Sequence, residues 1–361
     1  MTASHFPSTF DALRSYFNRR RSPQDRQGFR SMPRVPQALM ILALAGSVLF
    51  IWTQPAAAAP TITEFHVSNV GVPQGITAGP DGNLWFTEFY DNVAGRITTK
   101  GTSTLFRLNT QNSATYITKG PDGALWLTLL NDVGGSTTNQ IGRLTTQGAL
   151  TTFTVPKASY IWDIVTGPDG NLYFTDGASR VWRVTTKGRF TSFSFNDSTG
   201  GYPYQITKGP DGNLWFTDRS RMIVKMTPSG QFTTFKVPTS NASTDDITSG
   251  PDGNLWFTLD NSDSSRIGRI TPSGTITLFS LPSNDYLYLS GIAAGPDGNF
   301  WFTYEDFTTN VNAIGRITTD GTITLTLTPT ANSGPTDITA GADGNMWFTE
   351  AVGNIGRITT S

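Results

Sequence analysis

Acidic side chains gather at two recurring positions of this chain, and those positions are where its chemistry would be done. One is the residue before the Ile of a short apolar run: Gly75, Tyr116, Asp163, Gln205, Asp246, Gly291 and Asp337. The other follows a W-F-T-like phrase: Glu88, Leu129, Asp176, Asp218, Leu259, Tyr304 and Glu350. Seven of these fourteen are acidic, although residues 61–361 hold only 25 acidic side chains, so the clustering exceeds what composition would place there. Three chemistries fit. The carboxylates could cap loops and pair with Arg180, Arg219, Arg221 or Arg266, since Asp readily bonds nearby backbone. They could hold a hard cation, Mg²⁺ or Ca²⁺, through oxygen ligands. They could act as a general acid and base on a sugar or lactone, provided their separation suits it. Tyr116, Trp162 and Tyr204 stand beside them and add aromatic surface suited to a sugar or cationic ligand, or to plain packing.

Composition removes other chemistries. The chain has no Cys, which excludes disulfides, zinc–thiolate sites and thiol nucleophiles. It has two His, His5 and His66. The net charge of −1 gives no basic surplus for binding nucleic acid through phosphates. That near-neutrality joins two unlike pieces. Residues 1–60 carry seven Arg against Asp11 and Asp25, a balance of +5, whereas residues 61–361 balance to −6. The basic stretch precedes an uncharged apolar run, Ala38–Trp52, which is shorter than the ~20 residues of a membrane span. It ends in Ala-rich sequence that suits signal-peptidase cleavage near Ala59. We therefore expect residues 1–60 to be an export signal with an extended basic region, translation starting at Met1 or Met32. The mature protein is then extracytoplasmic, with no stable membrane span.

The elements that must position the acids are repeats. GPDGNLWFT recurs with small changes, marked by Asp81, Asp122, Asp169, Asp211, Asp252, Asp297 and Asp343, at steps of 41 to 47 residues. IGRITT follows it, clearest at Ile267–Thr271, Ile314–Thr319 and Ile355–Thr360. Each unit then closes with an alternating Thr/Phe stretch. Asp-Gly suits a tight hairpin, and the alternation marks strands with one buried face. Four short strands at this spacing predict an all-β, seven-bladed propeller over residues 61–361, expected to be monomeric. The seventh unit stops after IGRITT without a fourth strand, and Ile62–Val67 supplies one from the other end. Trp85, Trp126, Tyr173, Trp215, Trp256, Trp301 and Trp347 share one place in the repeat and should pack between blades. Loops entering the inner strand and leaving the second would then bring both acidic sets to one mouth of the central channel. Two sequons start at Asn196 and Asn241.

The repeat phrases over residues 61–361 resemble the virginiamycin B lyase, or streptogramin lyase, family. The resemblance implies a seven-bladed propeller and a magnesium-dependent elimination that opens the ring of streptogramin B antibiotics. It also implies places for the family's catalytic residues, and this chain departs at each. A Tyr phrase of the first blade aligns with Pro73-Gln74-Gly75-Ile76, and a His phrase of the sixth with Leu289-Ser290-Gly291-Ile292. The Glu and second His of the seventh fall on Gly334 and Thr336, and a further Glu on Ala351, beside Glu350. Once the leader is gone, His66 is the only imidazole, and it belongs to an outer strand. General acid–base catalysis needs a group within reach of the proton it moves, so these departures point to binding of a small molecule, sugar or protein at the acidic mouth. The other reading keeps an enzyme: a streptogramin lyase, or a carboxylate- or metal-dependent lactonase or glycosidase.

Overall fold

The computed structural model describes residues 59–67, 71–131, 138–195, 201–239, 242–261, 265–281 and 287–360. All of them belong to one compact unit, Ala56–Ser361. The leader expected ahead of Ala59 and the sequon residues Asn196 and Asn241 lie outside the described residues.

Seven antiparallel sheets follow one another along the chain. The first blade runs outward from Pro73–Ala78 through Leu84–Glu88 and Val93–Ile97 to Ser103–Arg107. The next four repeat that order, with inner strands Ser113–Lys119, Ile161–Thr166, Ile206–Lys208 and Ala242–Ser249. In the sixth blade the inner strand is broken into Leu287–Tyr288 and Ile292–Ala294, both paired with Phe300–Asp306. The seventh contains Pro335–Ala340, Met346–Glu350 and Asn354–Ile358, and its outermost strand is Ile62–His66. That strand pairs antiparallel with Asn354–Ile358, Phe65 opposite Ile355, so the two ends of the chain close the ring and cover an edge that would otherwise be open.

Each blade is joined to the next at three levels. At mid-height the recurring aromatics are fully buried. Trp85 packs with Ile117 and Leu125 of the second blade, and Trp347 with Ile76 and Leu84 of the first. In five blades the Trp stacks on the Phe of its own outer strand, as Trp85 does on Phe106 and Trp347 on Phe65, at 5.2 and 5.6 Å. The packing role expected for the tryptophans is what the structure shows.

On the face of the GPDG turns, six Asp accept the Trp indole N–H, 3.0 Å for Asp81 and Trp85, and Asp169 accepts the Tyr173 hydroxyl. Basic side chains of the IGR strand lie over the same rings and reach the next blade. Arg357 sits 5.6 Å from Trp347 and donates to the Thr99 carbonyl at 3.0 Å. Gly101, at φ 88°, lies where a Cβ would strike the Phe65 ring, so this turn needs glycine for both conformation and space.

On the opposite face the W-F-T threonines are latches. Thr349 Oγ1 accepts Asp337 N–H at 3.0 Å and donates to the Gln74 carbonyl of the first blade at 2.8 Å. Thr87 and Thr217 make the same pair of bonds, to Gly75 N–H and the Thr115 carbonyl, and to Gln205 N–H and the Asp245 carbonyl. They are wholly buried, so each bond replaces one that water cannot make.

Candidate functional site

The latches fix where the residue before each inner-strand Ile points. In the first, second, third, fifth and seventh blades the inner strand changes register there, leaving a bulge that turns this residue out of the ladder. Asp163, Asp246 and Asp337 line the channel from alternate blades and feel one another's charge. Each carboxylate bridges two blades. Asp337 accepts Ile338 N–H and, across the joint, Ile76 N–H, both at 2.8 Å. Asp163 does so with Ile164 and Ile206, and Asp246 with Ile247 and Ile292.

Deep enclosure by protein pushes Asp163 and Asp337 up to about 7, against the pull of the two N–H donors. Burial also raises Asp246 well above its ordinary value, and repulsion from Asp337 and Asp163 adds to this. All three still touch the channel with part of their surface, so water reaches them. Gly75 and Gly291 occupy the same position where inner strands meet backbone to backbone. A Cβ on Gly75 would lie 2.9 Å from the Thr115 carbonyl.

The second acidic set answers to its own loops. Asp176 is fully buried. It accepts Ser159 and Ala178 N–H through one oxygen, and Trp182 Nε1–H and Arg180 through the other, the last two at 2.8 Å. Asp218, also buried, accepts Ser220 and Met222 N–H at 2.9 Å. Glu88 is buried at the end of Leu84–Glu88, with its Oε2 against Gly71. The two sets, expected together at one mouth, are therefore a channel ring and a series of loop caps. Among the described residues no three His, Asp or Glu side chains come together to hold a metal ion. In the channel carboxylates of Asp163, Asp246 and Asp337 each oxygen already accepts one backbone N–H.

Glu350 differs from its counterparts. It is fully buried and neither oxygen has a hydrogen-bond partner. Burial pushes it up to about 7 and the nearby Glu64 carboxylate adds to this, only partly countered by Ser333 and Asn354. Ser333 also donates to Thr328, and Asn354 Oδ1 meets His66 Nδ1 at 3.1 Å. His66 itself is exposed on the outermost strand, where the sequence placed it.

Aromatic and polar groups fill the mouth around the second to fifth blades. Tyr116 Oη accepts Gln205 Nε2–H at 3.0 Å and lies 3.4 Å from Tyr204 Oη, while Gln205 Oε1 is buried without a partner. Trp162 stacks between Tyr160 and Tyr202 and meets Tyr204 edge-on at 5.3 Å. The Arg219 guanidinium lies 4.5 Å over the Tyr204 ring and pairs with Asp245 at 3.1 Å. Burial raises both Asp245 and Asp260, and Asp245's charge holds the proton on Asp260, which turns it to Asp245. Asp245, Asp260, Tyr160 and Tyr202 were missed in the sequence. Only the bulge at Thr244–Ile247, invisible in the repeat phrase, shows that Asp245 and Asp246 face opposite ways.

The virginiamycin B lyase family model matches residues 60–258, 133–303 and 218–361, overlapping stretches that span the ring. The chain belongs to the virginiamycin B lyase family. It is similar to the virginiamycin B lyase of Staphylococcus aureus, 32% identical over 84% of this chain and 100% of that one, with a TM-score of 0.74. A catalytically inactive variant of that enzyme with quinupristin matches at 31% identity, over 84% of this chain and 100% of that one, with a TM-score of 0.75. A streptogramin B lyase structure matches at 31%, over 83% and 97%, with a TM-score of 0.73. The WD40 propeller of Doa1, 9% identical over 82% and 95% with a TM-score of 0.64, shares the fold alone. No curated protein matches the chain in sequence.

Within the virginiamycin B lyase fold, the positions the resemblance singled out serve the blade joints. Ser290 Oγ donates to the Thr336 carbonyl at 2.7 Å, and Gly291 N–H bonds Thr303 Oγ1. Thr336 Oγ1 is shared with Thr349 Oγ1 at 2.7 Å, and Gly334, at φ 60°, donates to Asn312 Oδ1.

Proposed function

We propose that the mature chain is an exported small-ligand-binding member of the virginiamycin B lyase family, without the imidazole chemistry of a lyase. The observation that carries this is Asp337. It is the one ionisable group in the phrases that align with the family's catalytic ones, and both its oxygens are engaged by backbone N–H groups of two blades. A group so held is poorly placed to take a proton from carbon. Buried acceptors without partners, Gln74 Oε1 and Gln205 Oε1, remain at the inner strands, the kind of polar group that fixes a ligand in a mostly apolar mouth. Export rests on the leader. Among the described residues no helix is long and apolar enough to cross a membrane.

The experiment is incubation of the mature chain with quinupristin and Mg²⁺, followed by mass spectrometry. The expected result is intact antibiotic. Ring opening above the enzyme-free rate overturns the reading. An enzymatic reading would rest on Glu350, whose raised pKa suits a general acid. Its complete burial keeps it from touching a substrate, which favours binding.

A further inference from the structure

Three carboxylates face the central channel, and no cation balances them there. Asp163, Asp246 and Asp337 come from alternate blades and each is half-buried, so solvent reaches all three. What acts on them is burial, two backbone N–H donors each and, for Asp163 and Asp246, the charge of the other acids. The inner strands carry basic residues only at Lys119 and Lys208, at their ends beside the GPDG turns. Charge enclosed by protein without a counter-ion costs free energy that a bound cation offsets.

The channel also holds an acceptor with nothing to accept. Gln205 is 5% exposed, and its Oε1 is buried without a partner. It takes the ring position between Asp163 and Asp246. Its Nε2 donates to Tyr116 Oη at 3.0 Å, two blades away, although Asp163 of the third blade stands between them on the wall. These two side chains can meet only across the lumen, so the unmet oxygen lies there as well. Each Asp oxygen accepts one backbone N–H and keeps a second lone pair. The ring therefore presents negative charge and acceptors, spread around its wall.

We infer that this ring is a site for a linear aliphatic oligoamine, its ammonium groups shared among Asp163, Asp246 and Asp337 and one N–H donated to Gln205 Oε1. The inference deepens the binding reading above and rests on it. The arrangement selects the class. Among the described residues these carboxylates do not gather as metal ligands, so one small ion cannot serve all three. A quaternary ammonium has no N–H to give to Gln205. A neutral polyol donates hydrogen bonds but leaves the charges unbalanced, and an anion adds to them. Ammonium groups strung along a chain bring separate charges, each with N–H donors of its own.

The test is isothermal titration of the mature protein with spermine, spermidine and putrescine at physiological salt, with choline, Mg²⁺ and maltotriose for comparison. Spermine should bind most tightly and putrescine least, and the comparison compounds should not bind. Asp337→Asn and Asp163→Asn should each weaken spermine by ~10-fold. Gln205→Glu leaves the Asp bonds between blades in place and adds a fourth carboxylate. It should tighten spermine by a similar factor, which decides the matter even where an Asp variant fails to fold. Asp320→Asn, at an exposed turn after Val311–Ile317, should change nothing. Absence of binding at millimolar spermine overturns the proposal. So does binding that Asp320→Asn weakens as much as Asp337→Asn, or that Gln205→Glu leaves unchanged. Quinupristin separates the two readings. Intact antibiotic with no amine binding removes the oligoamine alone, whereas ring opening overturns the reading on which it rests.

Discussion

Asp337 of the seventh blade accepts the backbone N–H of Ile76 in the first at 2.8 Å, so the ring is closed through the channel wall as well as through its outer strand. The same bond recurs from Asp163 to Ile206 and from Asp246 to Ile292, joining the third blade to the fourth and the fifth to the sixth. Where Gly75 and Gly291 stand instead, strands meet too closely for a side chain. An inner-strand acid in this fold is thus a clamp, and the acidity of the channel is a by-product of how the blades are held.

Replacing Asp337 by Ala orphans two buried N–H groups. The expected loss is about 2 kcal/mol, read as a fall in melting temperature, with Asp163→Ala alike. The pH dependence has a definite sign. Both groups titrate near 7 when folded, above the ordinary ~4 of an unfolded Asp. Between those values the unfolded chain releases the proton and the folded chain keeps it. Their contribution is therefore greatest below pH ~4, declines as pH rises to about 7, and is flat beyond. The melting difference between wild type and Asp337→Asn should shrink across that window; a difference that grows with pH contradicts the clamp.

The GPDG carboxylates should behave in the opposite way. Burial alone would raise Asp343, but bonds from Asn345 and the Trp347 indole outweigh it and hold the group below its ordinary value. Its stabilisation is present above pH ~4 and is lost as pH falls through the lowered value. Asp343→Ala should cost about 1–2 kcal/mol at neutral pH and less at pH 2. An acid titration followed by tryptophan fluorescence checks this, since Trp347 loses its partner in the same step.

The fold was legible because its signals are local and repeated: a turn Asp, an aromatic four residues on, and a basic strand residue beyond a loop of varying length, seven times over. The swap of the outer strand was legible too, since one unit lacked what Ile62–Val67 supplied. The site was less so. Asp163 and Asp176 look alike in sequence, yet one bridges blades in the channel and the other caps a loop. The bulge that separates them depends on register, which the repeat phrase does not encode.

Divalent cations should leave the protein unchanged. Asp163, Asp246 and Asp337 would have to share with the ion oxygens that each hold a backbone N–H, and Asp176 oxygens that hold Arg180 and Trp182. Millimolar Mg²⁺ or Ca²⁺ should therefore not shift the melting temperature relative to EDTA. A rise of several degrees, abolished by Glu88→Gln or Asp218→Asn, would place a metal in the loop caps after all.

Glu350 offers the sharpest reading of the closure blade. Glu64, on the swapped strand, accepts Thr330 N–H and hydroxyl, holding that strand against the loop ahead of Pro335–Ala340. Glu350 lies beside it with both oxygens buried and unpartnered, and its proton is what makes the pair tolerable. As pH rises toward about 7, the unfolded chain has already lost that proton, so this group subtracts from stability until the folded pKa is passed. Glu350→Gln removes the charge and supplies an amide N–H to Glu64. It should raise the melting temperature at pH 8 and change it little at pH 4. Glu64→Gln should not mimic it, because it also weakens the hold on Thr330. If Glu350→Gln destabilises equally at both values, the carboxyl is held by a bond, and relief of its repulsion with Glu64 is not what the proton supplies.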